Sequence, residues 1–164
     1  MDTQVFAIGA LNWKSIGALV LMALAVVASV VLGMDKGFRA VPVALAIVVF
    51  GVVLALIGSV RIVVTDGNLI AGGMFYKVRM PLAQIDARNV RLLPADDPFR
   101  LRWRTNGLGW PGLSLGWFTT NGSKRVFAAI TGKANRVYIP TSGGFDIVLT
   151  PEDPAALITA IERP

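Results

Sequence analysis

Hydrophobic and polar positions divide the chain into two parts with different rhythms. The first sixty residues hold two runs without a charge, "SIGALVLMALAVVASVVLG" from Ser15 to Gly33 and "VPVALAIVVFGVVLALIGSV" from Val41 to Val60. Neither run leaves a polar face at helical spacing, which argues against amphipathic surface helices. A helix rises about 1.5 Å per residue, so roughly 20 apolar residues cross a hydrocarbon core, and both runs reach that length. The pattern predicts an N-terminal tail over residues 1–14 and a transmembrane hairpin over 15–60, with helices at 15–33 and 41–60. The alternative is a pair of buried core helices, but a chain of 164 residues could hardly wrap two helices that are apolar all round. A signal peptide fits poorly as well, because "MDTQVFAIGALNW" carries Asp2 and no basic residue before Lys14. Trp13 and Lys14 read as an interfacial anchor at the first helix entrance.

The connector "MDKGFRA" is short enough to force a tight antiparallel hairpin, which puts both chain ends on one side. It carries two basic residues, Lys36 and Arg39, while Lys14, Arg61, Lys77 and Arg79 flank the other side. Positive-inside bias then points the C-terminal domain toward the cytoplasm.

From Arg61 onward the rhythm changes to period two. "RIVV" meets the turn signal "TDGN", where Asp66-Gly67 suits a type I′ hairpin. "LIAGG", "MFYKVRM", "FRLRWR", "LSLGWF", "KRVFAAI", "RVYIP" and "FDIVLT" follow, punctuated by "PADDP", "TTNGS", "TGKAN" and "TSGG". Seven or eight short strands at close intervals predict a small barrel or sandwich. The ending "TPEDPAALITAIERP" predicts a helix over 151–162, with Thr150 as N-cap, Pro151 in the first turn and Leu157, Ile158 and Ile161 on one apolar face.

The stretch "GLGWPG" at residues 107–112 has the spacing of a dinucleotide-binding glycine loop. Such a loop must open a helix and be followed by an acid about 20 residues on. Here Gly112 leads into the strand-like "LSLGWF", and no Asp or Glu occurs between Asp97 and Asp146. The glycines read instead as a barrel corner, with Trp110 placed to enter lipid or a partner.

Several segments together resemble the bacterial PH-domain families: "MPLAQIDARNVRLL", "NGLGWPGLSLGWF" and "VYIPTSGGFDIVLTPEDPAALITAI" behind two membrane helices. The resemblance covers roughly Arg61 to Arg163. It implies a mainly β domain over 61–164, a seven-stranded bent antiparallel barrel capped by the C-terminal helix, in a multi-pass protein of the bacterial inner membrane. It implies little about activity, because fold does not fix function.

The chain contains no histidine and no cysteine, which removes imidazole and thiolate chemistry and their metal sites. The acid pairs Asp96–Asp97 and Glu152–Asp153 read as a turn former and a helix-dipole complement. No catalytic residue, metal ligand or cofactor is expected. Net charge is +6 and the pI near 10.3. The segment from Pro98 to Phe145 has basic residues only: Arg100, Arg102, Arg104, Lys124, Arg125, Lys133 and Arg136. In "FRLRWR" period two puts the three arginines on one face and Phe99, Leu101 and Trp103 on the core face. Stacking and phosphate contacts would then not coincide, so nucleic acid is not expected. The basic residues and Trp110 are the candidate site, facing anionic lipid headgroups or a protein partner. The sequence thus predicts a non-catalytic, membrane-anchored interaction or scaffold module. The alternative is an accessory or inhibitory subunit of another membrane complex. Small residues in the helices (Gly17, Ala18, Ala25, Ala28, Gly51, Ala55, Gly58) suit hairpin packing or a homo-oligomer.

Overall fold

The alternating half of the chain folds as two sheets that share one apolar interior. A computed structural model describes residues 3–10, 12–33, 40–122 and 124–162, with side chains at 30–42 outside the description. The elements in chain order are β1 (Gln4–Ala7), α1 (Trp13–Gly33), α2 (Ala40–Gly58), β2 (Arg61–Thr65), β3 (Asn68–Gly72), β4 (Lys77–Pro81), β5 (Arg91–Leu93), β6 (Leu101–Trp110), β7 (Leu113–Thr120), β8 (Arg125–Ile130), β9 (Arg136–Ile139), β10 (Phe145–Leu149) and α3 (Pro154–Glu162). The connector through Lys36 and Arg39, expected to be a tight link, lies outside the described residues.

The first sheet runs β1-β2-β3-β4 and the second β5-β9-β10-β8-β7-β6. The β2–β3 turn has positive φ at both Asp66 (47°) and Gly67 (69°), as the type I′ turn requires. The core joins both sheets through Ile62, Leu69, Phe127, Val137, Ile147 and Leu149. Leu157, Ala160 and Ile161 of α3 seal it. Ile57 and Val60, at the end of α2, are buried in the same cluster, so the helix exit is continuous with the barrel core. A smaller cluster of Phe118, Val126, Ala128 and Val148 lies apart from it, covered by Phe99, Leu101 and Tyr138.

Several expectations change. The N-terminal tail is not featureless: β1 pairs antiparallel with β2, from Gln4↔Val64 to Ala7↔Arg61. The barrel is not wholly antiparallel, nor seven-stranded. β9 takes the far side of β10, so the chain reverses twice and β10 returns parallel to β8. The terminal helix begins three residues later than its start signals suggested. Asp153 is the cap, its Oδ1 accepting from Ala156 N–H at 3.0 Å, with Pro154 in the first turn. Thr150 Oγ1 instead accepts the N–H of Thr131 at 2.9 Å. Trp103, assigned to the core, is 76% exposed. The β6–β7 register is irregular between Leu101, Arg104 and Asn106, so simple alternation fails there.

The glycine stretch is not a corner but the end of the β6–β7 hairpin, turning at Pro111–Gly112. Gly107 and Gly116 face each other across it with φ of 140° and 136°. A Cβ on either would lie 2.7 Å or less from the other's Cα, so both strands need a bare backbone at this crossing.

Helices α1 and α2 contact each other. Gly17, Gly51 and Gly58 have nothing within 4 Å of where a Cβ would stand, so they are not the points where the two helices approach. Among the described residues no helix is long and apolar enough to cross a membrane.

Candidate functional site

Two regions concentrate chemistry: the junction between helices and barrel, and a groove with the strand beside it at the opposite end of β6. At the junction, Asn12 caps α1. Its Oδ1 accepts from the N–H groups of Lys14 and Ser15, each at 3.1 Å. The Nδ2 of Asn12 donates to the carbonyl of Gly112 at 2.8 Å. Ser15 is fully buried, its Oγ 2.7 Å from Ala10 O and 2.8 Å from Pro111 O. The hairpin tip is therefore gripped by the first turn of α1. Trp110, expected at a lipid or partner surface, packs its ring against the main core, and its indole nitrogen is buried without a partner.

At the other end lies an open groove of about 570 Å³. Its floor is acidic and its rim basic. Asp146 is 5% exposed and accepts from Tyr138 O–H at 2.7 Å and Thr141 N–H at 3.0 Å. The Lys124 ammonium stands 3.4 Å from Asp146 and donates to Thr141 O at 2.9 Å. Asp97, also buried, faces Arg91 at 3.6 Å. Burial and then the Asp146 carboxylate push the Tyr138 phenol up to about 12, with Arg91 opposing. Arg91 also lies over the Tyr138 ring, 5.6 Å from its centre. Both carboxylates are thus committed to internal partners. Among the described residues no group of three metal-ligating side chains gathers.

The predicted basic face is dispersed. Arg136 is buried, donating to the carbonyls of Lys133 and Pro94 at 3.1 and 3.2 Å, so it ties loops together rather than facing a ligand. Arg125 lies over the Trp117 ring at 5.1 Å. Lys133 is exposed. Arg100 donates to the carbonyls of Asp97 and Phe99 at the groove rim. Arg102 is exposed, and Arg104 folds back over Gly109, filling the space a side chain there would take. Arg100, Arg102 and Arg104 stay together at or next to β6, the edge of its sheet, with Trp103 exposed among them. Sequence reasoning missed the Asp146–Tyr138–Lys124 hub. Its one signal is an acid inside the apolar run "FDIVL", where a buried charge must find partners.

Comparison with curated proteins and with solved structures returns no match. Residues 56–164, from the last turn of α2 to the end of the chain, match the family described as Bacterial PH domain. A mainly β fold closed by a C-terminal helix is consistent with that match. With well over half of its length matched, the chain belongs to the bacterial PH domain family.

Proposed function

We propose that this protein is a non-catalytic, membrane-anchored interaction module of the bacterial inner membrane, with α1 and α2 as a transmembrane hairpin. The observation that carries the reading is the outward face of the helices. Leu21, Leu24, Leu45, Ile47 and Val48 are all at least 60% exposed, and among the described residues nothing covers them. Water would not tolerate so large an apolar patch, whereas lipid would. The uncharged sequence runs Ser15–Gly33 and Val41–Val60, 19 and 20 residues, would as helix extend about 30 Å, the thickness of the hydrocarbon core. The β1–β2 pairing puts the residues before α1 on the same side as those after α2, as a hairpin demands. Positive-inside bias of the basic flank favours the cytoplasm for that side.

Strand β6 supports a protein partner. Arg102 is eight positions from the membrane-proximal tip at Trp110, roughly 25 Å along an extended strand. Charges at that remove from the headgroups are screened within about 8 Å at physiological salt. Irregular register and like charges also discourage strand pairing with a second copy. An exposed Trp flanked by Arg has the chemistry of an interface anchor for an acidic protein surface. Such a partner would make this chain an accessory subunit of a membrane complex.

Alkaline carbonate extraction of membranes containing the full chain tests the anchor. Retention in the pellet, with release only by detergent, is the expected result. Release by carbonate overturns the hairpin reading.

A further inference from the structure

Between β3 and β4 the residues Gly73, Met74, Phe75 and Tyr76 form a loop that neither the basic face nor the groove explains. Met74 and Phe75 are 66% and 74% exposed, yet their loop is built rather than slack. Gly73 N–H donates to Tyr76 O at 2.9 Å, closing it. Gly72 has φ of 125°, and a Cβ there would lie 2.0 Å from the Tyr76 carbonyl oxygen. Tyr76 O–H pairs with Asn106 Oδ1 of β6 at 3.0 Å. The decisive contact is with the helix exit. Met74 N–H donates to Ser59 Oγ at 3.1 Å, and that hydroxyl donates to Leu56 O at 2.7 Å. Leu56 of α2 lines one small pocket with Met74, Phe75 and Tyr76. Arg61 and Lys77 line the adjoining cleft of about 500 Å³ beside Met74.

We infer that the Met74–Phe75 loop is a second membrane contact, dipping its two apolar side chains into the interface of the bilayer that α2 leaves, with Arg61 and Lys77 against anionic headgroups. The inference rests on the hairpin reading, because the lipid level is set by the α2 exit. Two exposed large apolar side chains held at that level, bordered by two cations, match the chemistry of a headgroup boundary. The contact adds a third fixed point to the two helix ends and holds the barrel at one tilt. The Arg102–Trp103 end of β6 is thereby held away from the membrane.

The chain has no cysteine, so single labels report cleanly. The full-length Met74→Cys, Val52→Cys and Asn121→Cys variants would each carry an environment-sensitive fluorophore in proteoliposomes of phosphatidylcholine, with and without phosphatidylglycerol. Lipids quenched near the headgroup or near the chain end would read depth. Expected is loss of Met74 emission to the shallow quencher, stronger with phosphatidylglycerol, loss of Val52 emission to the deep quencher, and no loss at Asn121. In Arg61→Gln, Lys77→Gln protein the phosphatidylglycerol enhancement should vanish, and its persistence would overturn the headgroup contact. A Met74 label as unquenched as Asn121, beside a quenched Val52, overturns the loop contact and leaves the anchor. An unquenched Val52 overturns the anchor itself.

Discussion

Asn12 donates its side-chain amide to the carbonyl of Gly112 at 2.8 Å, joining residues 100 positions apart in sequence. The same side chain caps α1 through its other atom, so one residue both starts the helix and holds the barrel hairpin to it. Gly112 is needed for the approach. Its φ is 82°, and a Cβ would lie 2.3 Å from Asn12 Oδ1. Barrel and helices are therefore coupled at this grip and at the α2 exit, where Ile57 in the last turn and Val60 just beyond it are buried in the core.

Removing the grip from either side should loosen the hairpin tip. Asn12→Ala loses a cap and a long-range hydrogen bond within the chain and is expected to cost about 1–2 kcal/mol. Gly112→Ala adds left-handed strain and a clash, for about 1–3 kcal/mol. Because the two residues touch, the double variant should be less destabilised than the sum of the singles. Thermal melts in detergent measure all three, and strict additivity would show that the contact does not couple them.

Asp146 is the structural centre of the groove. Its two oxygens accept from Tyr138 O–H and Thr141 N–H, with Lys124 alongside. Asp146→Asn leaves its shape but replaces an acceptor by a donor facing donors, with an expected loss of roughly 2–3 kcal/mol. Tyr138→Phe should cost less, about 1–2 kcal/mol, because Asp146 keeps its other partners. Denaturant midpoints of the two variants check the order, and a larger loss for Tyr138→Phe would contradict it.

The raised Tyr138 phenol sets an alkaline limit. Its folded value of about 12 stands above the ordinary 10.0, so the folded state favours the protonated phenol. That contribution is complete below pH 10 and drains away as pH rises from 10 to 12. The gap in stability between wild type and Tyr138→Phe should shrink over that window. Absorbance titration of the Tyr76→Phe variant isolates Tyr138, the remaining tyrosine of two, and should show tyrosinate only near the top of the window. Ionisation near 10 would mean that neither burial nor the Asp146 contact holds the proton on Tyr138.

What could be read in the sequence was local. The apolar runs, the Asp66-Gly67 turn and the terminal helix announce themselves within a few residues of chain. What could not be read depends on partners distant in sequence. "QVFA" becomes β1 only because the open edge of β2, beyond both helices, is there to receive it. The parallel entry of β10 depends on which side of it β9 takes. Arg136 looked like one more surface cation, but the Pro94 carbonyl that engages it lies on another loop. Trp103 looked like core because alternation was carried through a strand whose register shifts. The segment free of acids is bounded by Asp97 and Asp146, and those two bounding residues, rather than the cations between them, form the groove floor.

The exposure of Trp103 gives the sharpest separation between stability and binding. Among the described residues its ring belongs to no core cluster, and its backbone is held by Thr119, whose Oγ1 accepts the Trp103 N–H at 3.1 Å. Trp103→Ala should therefore move stability by no more than about 0.5 kcal/mol, as for other exposed side chains. At an interface the same truncation of a Trp commonly costs about 2 kcal/mol or more of binding, some thirty-fold or greater in affinity. Arg102→Glu should act in the same direction, with a larger effect at low salt because it reverses a charge facing an acidic partner. Quantitative co-purification of full-length wild type, Trp103→Ala and Arg102→Glu from detergent-solubilised membranes, at low and moderate salt, checks this. An acidic protein retained by wild type and lost from both variants, with their melting points unchanged, is the expected outcome. Equal retention by all three would remove β6 as the binding surface and leave its arginines as a solvated edge that keeps neighbouring copies apart.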